Sequence, residues 1–437
     1  MKIVVRPYEN LEEDFGPDLF DRKKFGVALA NIVKNSAEPL VISLDGNWGE
    51  GKSTFVKAWQ KILNKENVPN IYIDAFASDY VDDAFMVVAG AITEYVSTNA
   101  PEKKSKEFIE KAKNVGAQVL SLGAKIGIRA ISAGALKEAD FQEVAKIGED
   151  ISNEISDGAA EYIKDRLINH NKEKQSIEHF RTFLSTIPSS LKTPSEIPLT
   201  IIIDELDRCR PSFAVEMLEK IKHLFSVKNV NFLLVINKNQ LQESIKSTYG
   251  SNINAHTYLQ KFITVEATLP KRKGRGGDIE KYCTQLAAKH DIQGGQWAEY
   301  FTALGAQLNC SLRELERAYS NLAIMLISER ANAEVNEALV SALCVLKVMR
   351  PTTFSRLTDG EVSTSDIDAA LGYKRGQNDD NYVLEYIIKW LHTCLMTKEE
   401  FTSLDADDDI KSMARNYRSR EKIIGSLTQK LNSFSAG

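Results

Sequence analysis

One octapeptide near the start of the chain has the spacing of a loop that binds phosphate. The string GNWGEGKS, residues 46–53, matches G-x-x-x-x-G-K-[ST] at every fixed position. Its three glycines allow backbone angles that turn successive N–H groups toward one point, where an anion is stabilised. Lys52 is long enough to reach the β and γ phosphates of a nucleotide, and the Ser53 hydroxyl is a ligand for Mg²⁺. These residues therefore predict a site for a nucleoside triphosphate with Mg²⁺.

The elements on either side of the loop are those that phosphate binding requires. Leu40–Leu44 is a short apolar run, which favours a buried strand, and Thr54–Leu63 has apolar residues at helical spacing. A helix that begins beside the loop adds the positive end of its dipole to the site. We therefore expect nine consecutive residues to contact the nucleotide: Gly46, Asn47, Trp48, Gly49, Glu50, Gly51, Lys52, Ser53 and Thr54.

Two adjacent carboxylates, Asp204 and Glu205, follow the apolar run Pro198–Ile203. Mg²⁺ is a hard cation that takes oxygen ligands, so a P-loop needs a carboxylate on a nearby strand. We predict that Asp204 and Ser53 hold the metal. Glu205 is then free to orient or deprotonate the attacking water, because one carboxylate cannot easily serve both metal and nucleophile.

Asn237 ends a further apolar run, Val230–Ile236. Its amide could bind the γ-phosphate or the attacking water, or it could be a turn residue satisfied by its own backbone, and the sequence leaves both open. The string that begins here, NKNQ, is similar to the N-K-x-D signature for guanine. Gln240 lacks the carboxylate that would accept from the guanine ring, so we expect ATP rather than GTP.

Phosphoryl transfer also needs positive charge at the γ-phosphate, from this chain or from a neighbouring subunit. Arg208 follows the acidic pair directly, whereas Arg313 and Arg317 lie four residues apart on one face of a predicted helix. We take Arg208 and Arg313 as the candidate catalytic arginines. Structural ion pairs are the alternative for all three.

Strands that alternate with helices predict an α/β fold with a doubly wound, mainly parallel sheet. We expect a P-loop domain over residues 1–270, with a helical insertion at about 101–188. The periodicity is helical from Asp278 onward, after the basic stretch 271–275. Residues 271–437 are therefore predicted to form a helical lid and a helical C-terminal region.

The composition, 43% hydrophobic and 26% charged, is that of an ordinary globular protein, and the net charge of −5 excludes a uniformly basic nucleic-acid binder. Five scattered cysteines without a C-x-x-C motif indicate reduced thiols. Met1–Asn10 lacks the apolar stretch of a signal peptide, so we expect a cytoplasmic location. Residues 115–136 are rich in small residues, but Lys125 and Arg129 weigh against a membrane span. Peripheral membrane association through this stretch is the alternative.

The order of these motifs resembles the KAP family of P-loop NTPases. The string ID-E-L-D-R-C at 203–209, followed by an amphipathic helix, is the most specific part of the resemblance. The segments that carry it are Asp18–Arg22, Leu44–Ser53, Ile73–Ala77, Ile203–Cys209, Val235–Asn237, Tyr258–Val265 and Ser311–Arg317. Together they cover residues 18 to about 350.

The resemblance implies a fold of the additional-strand catalytic-glutamate class, with the P-loop strand and the acidic strand as neighbours, and ATP as the nucleotide. It also implies a helical insertion, often membrane-spanning, between these strands. The chain departs from the family pattern at Asn237, where many members have Asp, and at Phe76, where Trp is usual. Several bacterial members resemble or accompany phage-defence components.

The sequence as a whole predicts a Mg²⁺-dependent ATPase that couples hydrolysis to a conformational change, with antiviral defence as a candidate role. One alternative is a nucleotide-gated scaffold with little turnover. Another is a nucleic-acid-stimulated ATPase that uses residues 271–275 and the basic segment 415–420. Besides ATP, we expect a protein partner or self-association through the helical regions.

Overall fold

The structure is a computed structural model. It describes residues 2–4, 20–81, 83–107, 109, 178–222, 224–270, 277–328, 336–374, 381–403 and 420–433. Several sequence predictions lie outside these residues: most of the insertion at 101–188 with the stretch 115–136, and the basic segments 271–275 and 415–419.

Five parallel strands form one sheet, which confirms the predicted α/β fold with a parallel sheet. The strands are β1 (Val41–Asp45), β2 (Asn70–Asp74), β3 (Leu199–Asp204), β4 (Val230–Ile236) and β5 (Val265–Thr268). Every residue of β3 and β4 is buried, as continuous apolar runs predict for strands covered on both faces. Their order across the sheet is β2-β3-β4-β1-β5.

The expectation that the P-loop strand and the acidic strand are neighbours is wrong. β4 lies between β1 and β3 and pairs with both along its length. The physical reason is that β4 is buried at all seven positions and apolar at six of them, Asn231 being the exception, which suits the central place in the sheet. Motif order along a chain does not determine which strands exchange hydrogen bonds. Since all strands are parallel, their carboxyl ends still meet at one edge.

Helices cover both faces of the sheet, as the doubly wound prediction requires. On one face α1 (Arg22–Lys34) and α2 (Lys52–Lys65) pack around Trp59, Ile202 and Leu233. On the other face lie α3 (Ala84–Asn99), α4 (Pro211–Ile221), α5 (Lys238–Tyr249) and α6 (Ala255–Leu259). Ile201 belongs to this second core, because neighbouring strand residues point to opposite faces.

The described residues from 277 to 433 form only helices and their connections, in agreement with the helical periodicity from Asp278 onward. These helices are α7 (Gly277–Lys289), α8 (Trp297–Gln307), α9 (Leu312–Ser328), α10 (Glu337–Met349), α11 (Pro351–Thr358), α12 (Thr364–Leu371), α13 (Tyr382–Leu395), α14 (Lys398–Ser403) and α15 (Arg420–Ser433). All of these helices except α14 contribute to a third hydrophobic core, which also contacts Phe20. Whether a domain boundary falls at residue 270 stays a prediction. Across the described parts of the chain, no helix is both long and apolar enough to cross a membrane.

Candidate nucleotide-binding site

The phosphate-binding loop curls around the side chain of Lys52. The Lys52 ammonium group donates to the carbonyl oxygens of Gly46, at 2.6 Å, and Asn47, at 3.2 Å. Burial lowers the pKa of Lys52, and the charges of Asp207 and Asp204 oppose that shift. α2 begins at Lys52 itself, so the first N–H groups of this helix lie at the loop.

Two glycines of the loop have backbone angles that favour glycine, with φ of 80° at Gly49 and 81° at Gly51. Gly49 also lies against the start of α9: an added Cβ would meet Ser311 Oγ at 2.7 Å and Arg313 Cβ at 3.0 Å. The backbone N–H of Arg313 donates to the Gly49 carbonyl at 3.3 Å. The loop is thus in direct contact with the helical region, in a way that only a residue without a side chain permits.

Ser53 lies between the two predicted carboxylates. Its hydroxyl donates to Glu205 Oε1 at 3.4 Å and lies close enough to Asp204 to lower the pKa of that carboxyl. Asp204 ends β3, is fully buried and accepts from the Tyr72 hydroxyl at 2.9 Å. Burial raises the pKa of Asp204 to about 6, and the Ser53 and Tyr72 hydroxyls oppose that shift.

The Ser53 and Asp204 oxygens are hard donors within reach of each other, so they fit a Mg²⁺ ion. Among the residues that the structure describes, no group of three or more His, Cys, Asp or Glu could hold a metal ion without help. Mg²⁺ in nucleotide sites takes one or two carboxylates and completes its shell with phosphate and water oxygens.

Glu205 has a conformation that is uncommon for a residue with a side chain. Its φ of 60° and ψ of 25° lie in the left-handed region. This conformation costs a residue with a side chain about 1–3 kcal/mol, and residues that adopt it cluster at functional sites. Its carboxylate accepts from Arg208 Nη1 at 2.9 Å in addition to Ser53. The acidic residue predicted to activate water is therefore held by a cation and a hydroxyl.

Of the three arginines considered from the sequence, Arg208 and Arg313 line the cavity beside the loop, and Arg317 does not. Burial and the neighbouring charge of Arg208 lower the pKa of Arg313, as expected for two guanidinium groups that line the same cavity. Asn237 is also absent from the described lining. It caps α5, where its Oδ1 accepts from the Gln240 backbone N–H at 3.3 Å, so the local turn reading accounts for this oxygen.

Seven of the nine expected loop contacts line the cavity: Asn47, Trp48, Gly49, Gly51, Lys52, Ser53 and Thr54. The other two lie aside. Gly46 is under the Lys52 side chain, and Glu50 accepts hydrogen bonds from the Asn47 backbone N–H and side-chain amide, each at 3.2 Å.

Six further residues that line the cavity were not among the predicted site residues. They are Phe20 and Arg22 before and at the start of α1, Tyr282 and Gln285 of α7, and Leu312 and Glu316 of α9. Tyr282 contacts the Phe20 ring and donates to Glu316 at 2.6 Å. Phe20 and Arg22 fall in the first segment of the family resemblance, which was the available signal. No sequence signal pointed to the residues of α7.

Asp207 was also not among the predicted site residues. It lines the cavity and lies three residues after Asp204. Its Oδ2 accepts a hydrogen bond from Trp48 Nε1, and this contact joins the phosphate-binding loop to the turn that carries Glu205. The pattern D-E-L-D in the sequence was the only hint.

The family model described as the KAP family P-loop domain matches residues 22–327, which is more than half of the chain. No curated protein matches the sequence. Two similar solved structures come from Aeropyrum pernix. The ORC2 protein in ADPNP–ADP complexes is 12% identical, with 87% of this chain and 88% of that chain covered and a TM-score of 0.38. The ORC1 protein in complex with DNA is 10% identical, with 98% and 85% covered and a TM-score of 0.37. Scores this low carry no argument about function.

Proposed function

The chain belongs to the KAP family of P-loop NTPases, and from this premise we propose that it is a Mg²⁺-dependent ATPase. The observation that carries the proposal is the convergence of four side chains on one cavity. Lys52 comes from the phosphate-binding loop, Ser53 donates to Glu205 and lies close to Asp204, and all four line the same space. Binding alone would not require the second carboxylate beside Ser53.

Each of these groups has a separate part in the proposed reaction. The loop N–H groups and Lys52 bind the β and γ phosphates, and Ser53 and Asp204 hold the metal. Bound Mg²⁺ supplies neutralisation of the charge on the phosphate oxygens. Glu205 accepts the proton of the attacking water. Its carboxylate also lies at Ser53, and it is available because Asp204 is the carboxylate assigned to the metal.

Arg208 and Arg313 are the proposed sources of positive charge at the γ-phosphate. Arg208 pairs with Glu205 at 2.9 Å, so it has to exchange this carboxylate for phosphate oxygens during the cycle. Arg313 stands on α9, whose first turn contacts Gly49. We propose that hydrolysis moves the helical region after residue 270 relative to the sheet through this contact.

Release of phosphate from ATP by the purified protein, with and without Mg²⁺, tests the proposal. We expect multiple turnovers for the wild type and none for Glu205→Gln or Lys52→Ala. Glu205→Gln should still bind ATP, whereas Lys52→Ala should lose most of the affinity because the lysine contacts phosphate. Nucleotide binding without any release would reject the ATPase, and absence of binding would reject the site.

A nucleotide-gated scaffold is the second candidate function. The observation that favours it is the engagement of Glu205 by Arg208 and Ser53, which occupies the group that would activate water. A single slow burst of product followed by a stop would support the scaffold. Linear product formation over many turnovers would reject it.

Nucleotide preference, stimulation by nucleic acid, self-association and a role in defence each need a separate measurement. GTP in place of ATP tests the preference for adenine, and added DNA or RNA at two salt concentrations tests stimulation by nucleic acid. Light scattering with and without nucleotide tests self-association. For the defence role, bacteria that express the wild type or Lys52→Ala would be challenged with phage, and only the wild type should reduce plaque number.

A further inference from the structure

Asp207 is a buried carboxylate with one oxygen engaged and the other without a donor. Its side chain lines the cavity and the residue is only 6% exposed. Oδ2 accepts from Trp48 Nε1, whereas Oδ1 is buried and has no hydrogen-bond partner among the described residues. A buried acceptor without a donor is costly, so an oxygen left in this state beside a ligand cavity indicates that the donor arrives with the ligand.

The cationic groups near Asp207 are already engaged elsewhere. Lys52 donates to two carbonyl oxygens of its own loop, and Arg208 binds Glu205. Asp207 is nevertheless close enough to Lys52 to oppose the effect of burial on the pKa of that lysine. Both residues line the same cavity, so the Asp207 carboxylate lies beside the lysine that would meet the terminal phosphates.

The chemistry of the incoming donor follows from this position. Phosphate oxygens of a nucleotide carry no hydrogen to donate and repel a carboxylate. Mg²⁺ keeps several water molecules when it binds a nucleotide, and the metal polarises those waters so that they donate strongly. Acidic residues that accept from such waters tune the affinity for the metal.

We propose that Asp207 is a third acidic residue of the phosphate site, whose Oδ1 accepts a hydrogen bond from a water molecule on Mg²⁺. Trp48 is a positioning residue that holds Oδ2 and so orients the free oxygen. This inference rests on the proposed function, because it requires the nucleotide to bind with its metal.

The position of Trp48 suits its role of holding Asp207 Oδ2. It belongs to the phosphate-binding loop, and although its ring is 45% exposed, its N–H is directed to a buried carboxylate. The contact bridges 159 positions in the sequence and ties the loop to the short helical turn Leu206–Arg208. The loop that binds phosphate thereby also sets the orientation of the acceptor.

The test compares the affinity of the full chain for a non-hydrolysable ATP analogue with Mg²⁺ and with EDTA. Asp207→Asn keeps the shape of the side chain but removes its charge and one acceptor. We expect the gain in affinity on adding Mg²⁺ to fall about 10- to 100-fold, the range for residues that bind metal-bound groups. Binding in EDTA should be unchanged or tighter, because one anion fewer faces the phosphates.

Trp48→Phe is the second variant, and it decides the matter if Asp207→Asn does not fold, because the indole is half exposed. It removes only the N–H donor, so the Mg²⁺ gain should fall in the same direction but by less. In the Asp207→Asn background it should have no further effect on this gain. Glu243→Gln, an exposed carboxylate on α5 paired with Lys246, is the matched charge control and should leave the gain unchanged.

Three outcomes would overturn the inference. A wild-type Mg²⁺ gain in both variants would show that Asp207 has no part in metal binding. An equal loss of affinity with Mg²⁺ and with EDTA would make the residue structural. If the wild type binds no nucleotide, the proposed function and this inference fail together. If the wild type binds and hydrolyses ATP but both variants keep the full gain in affinity with Mg²⁺, only the inference is rejected.

Discussion

Gly49 lies at the closest approach between the phosphate-binding loop and the helical region. Gly49→Ala would place a Cβ 2.7 Å from Ser311 Oγ in a left-handed conformation. We expect the free energy of unfolding to fall by about 1–3 kcal/mol and nucleotide affinity to fall with it. Denaturant unfolding and titration with a nucleotide analogue would measure both.

Gly90→Ala is the matched control for this change. Gly90 lies in the helix α3 and an added Cβ meets nothing within 4 Å. Alanine in this helix should be neutral or raise stability by about 0.5–1 kcal/mol. Equal stability of the Gly49→Ala protein and the wild type would contradict the close approach.

The ion pair between Arg208 and Glu205 allows the role of Arg208 in turnover to be tested. Arg208→Gln removes the cation at 2.9 Å from Glu205. If Arg208 turns to the γ-phosphate during reaction, kcat should fall about 10²-fold, the usual loss for one stabilising donor. Arg210→Gln is the control, since Arg210 pairs with Asp79 and does not line the described cavity. A rise in kcat for Arg208→Gln would show instead that the pair restrains Glu205.

At the scale of the element, the start of α5 is tied to the carboxyl end of β1. Asn237 caps this helix through Oδ1, and the Lys238 N–H donates to Asp45 Oδ1 at 2.8 Å. The cap uses the oxygen of the amide. A catalytic part for Asn237 would therefore depend on its Nδ2, and the two roles can be separated by substitution.

Asn237→Asp keeps the capping oxygen and replaces the Nδ2 donor with a negative charge. We expect stability close to that of the wild type, because the capping oxygen is kept, and a fall in kcat of about 10²-fold only if Nδ2 donates to the phosphate or the water. Asn237→Ala should cost about 1 kcal/mol of stability through the lost cap. An unchanged kcat in the Asp variant would assign Asn237 to the cap alone.

At the scale of the whole molecule, α9 brings the helical region to the phosphate site. Arg313→Ala should lower kcat about 10³-fold with little change in nucleotide affinity, if its charge acts on the γ-phosphate during transfer. Single-turnover hydrolysis and analogue binding would separate these effects.

Arg317→Ala tests the same helix one turn later, where the side chain is outside the described cavity lining. It should hydrolyse ATP near the wild-type rate. Equal losses in both variants would show that the surface of α9, rather than the position of Arg313, matters for turnover.

The sequence by itself determined the local parts of this protein. β4 has the bounds of the apolar run Val230–Ile236, and the helix predicted over Thr54–Leu63 lies within α2. The phosphate-binding loop and the acidic pair were also readable. Such features depend on side-chain period and on backbone angles within a few residues, so the chain itself carries the information.

Only the tertiary structure decided which distant parts meet. The place of β4 between β1 and β3 depends on pairing between strands far apart in sequence, and the wrong expectation about neighbouring strands arose there. The contact of Trp48 with Asp207 and the entry of Tyr282 into the cavity have the same origin. Long-range packing of the sheet and the helices selects these contacts, and no local pattern in the sequence encodes them.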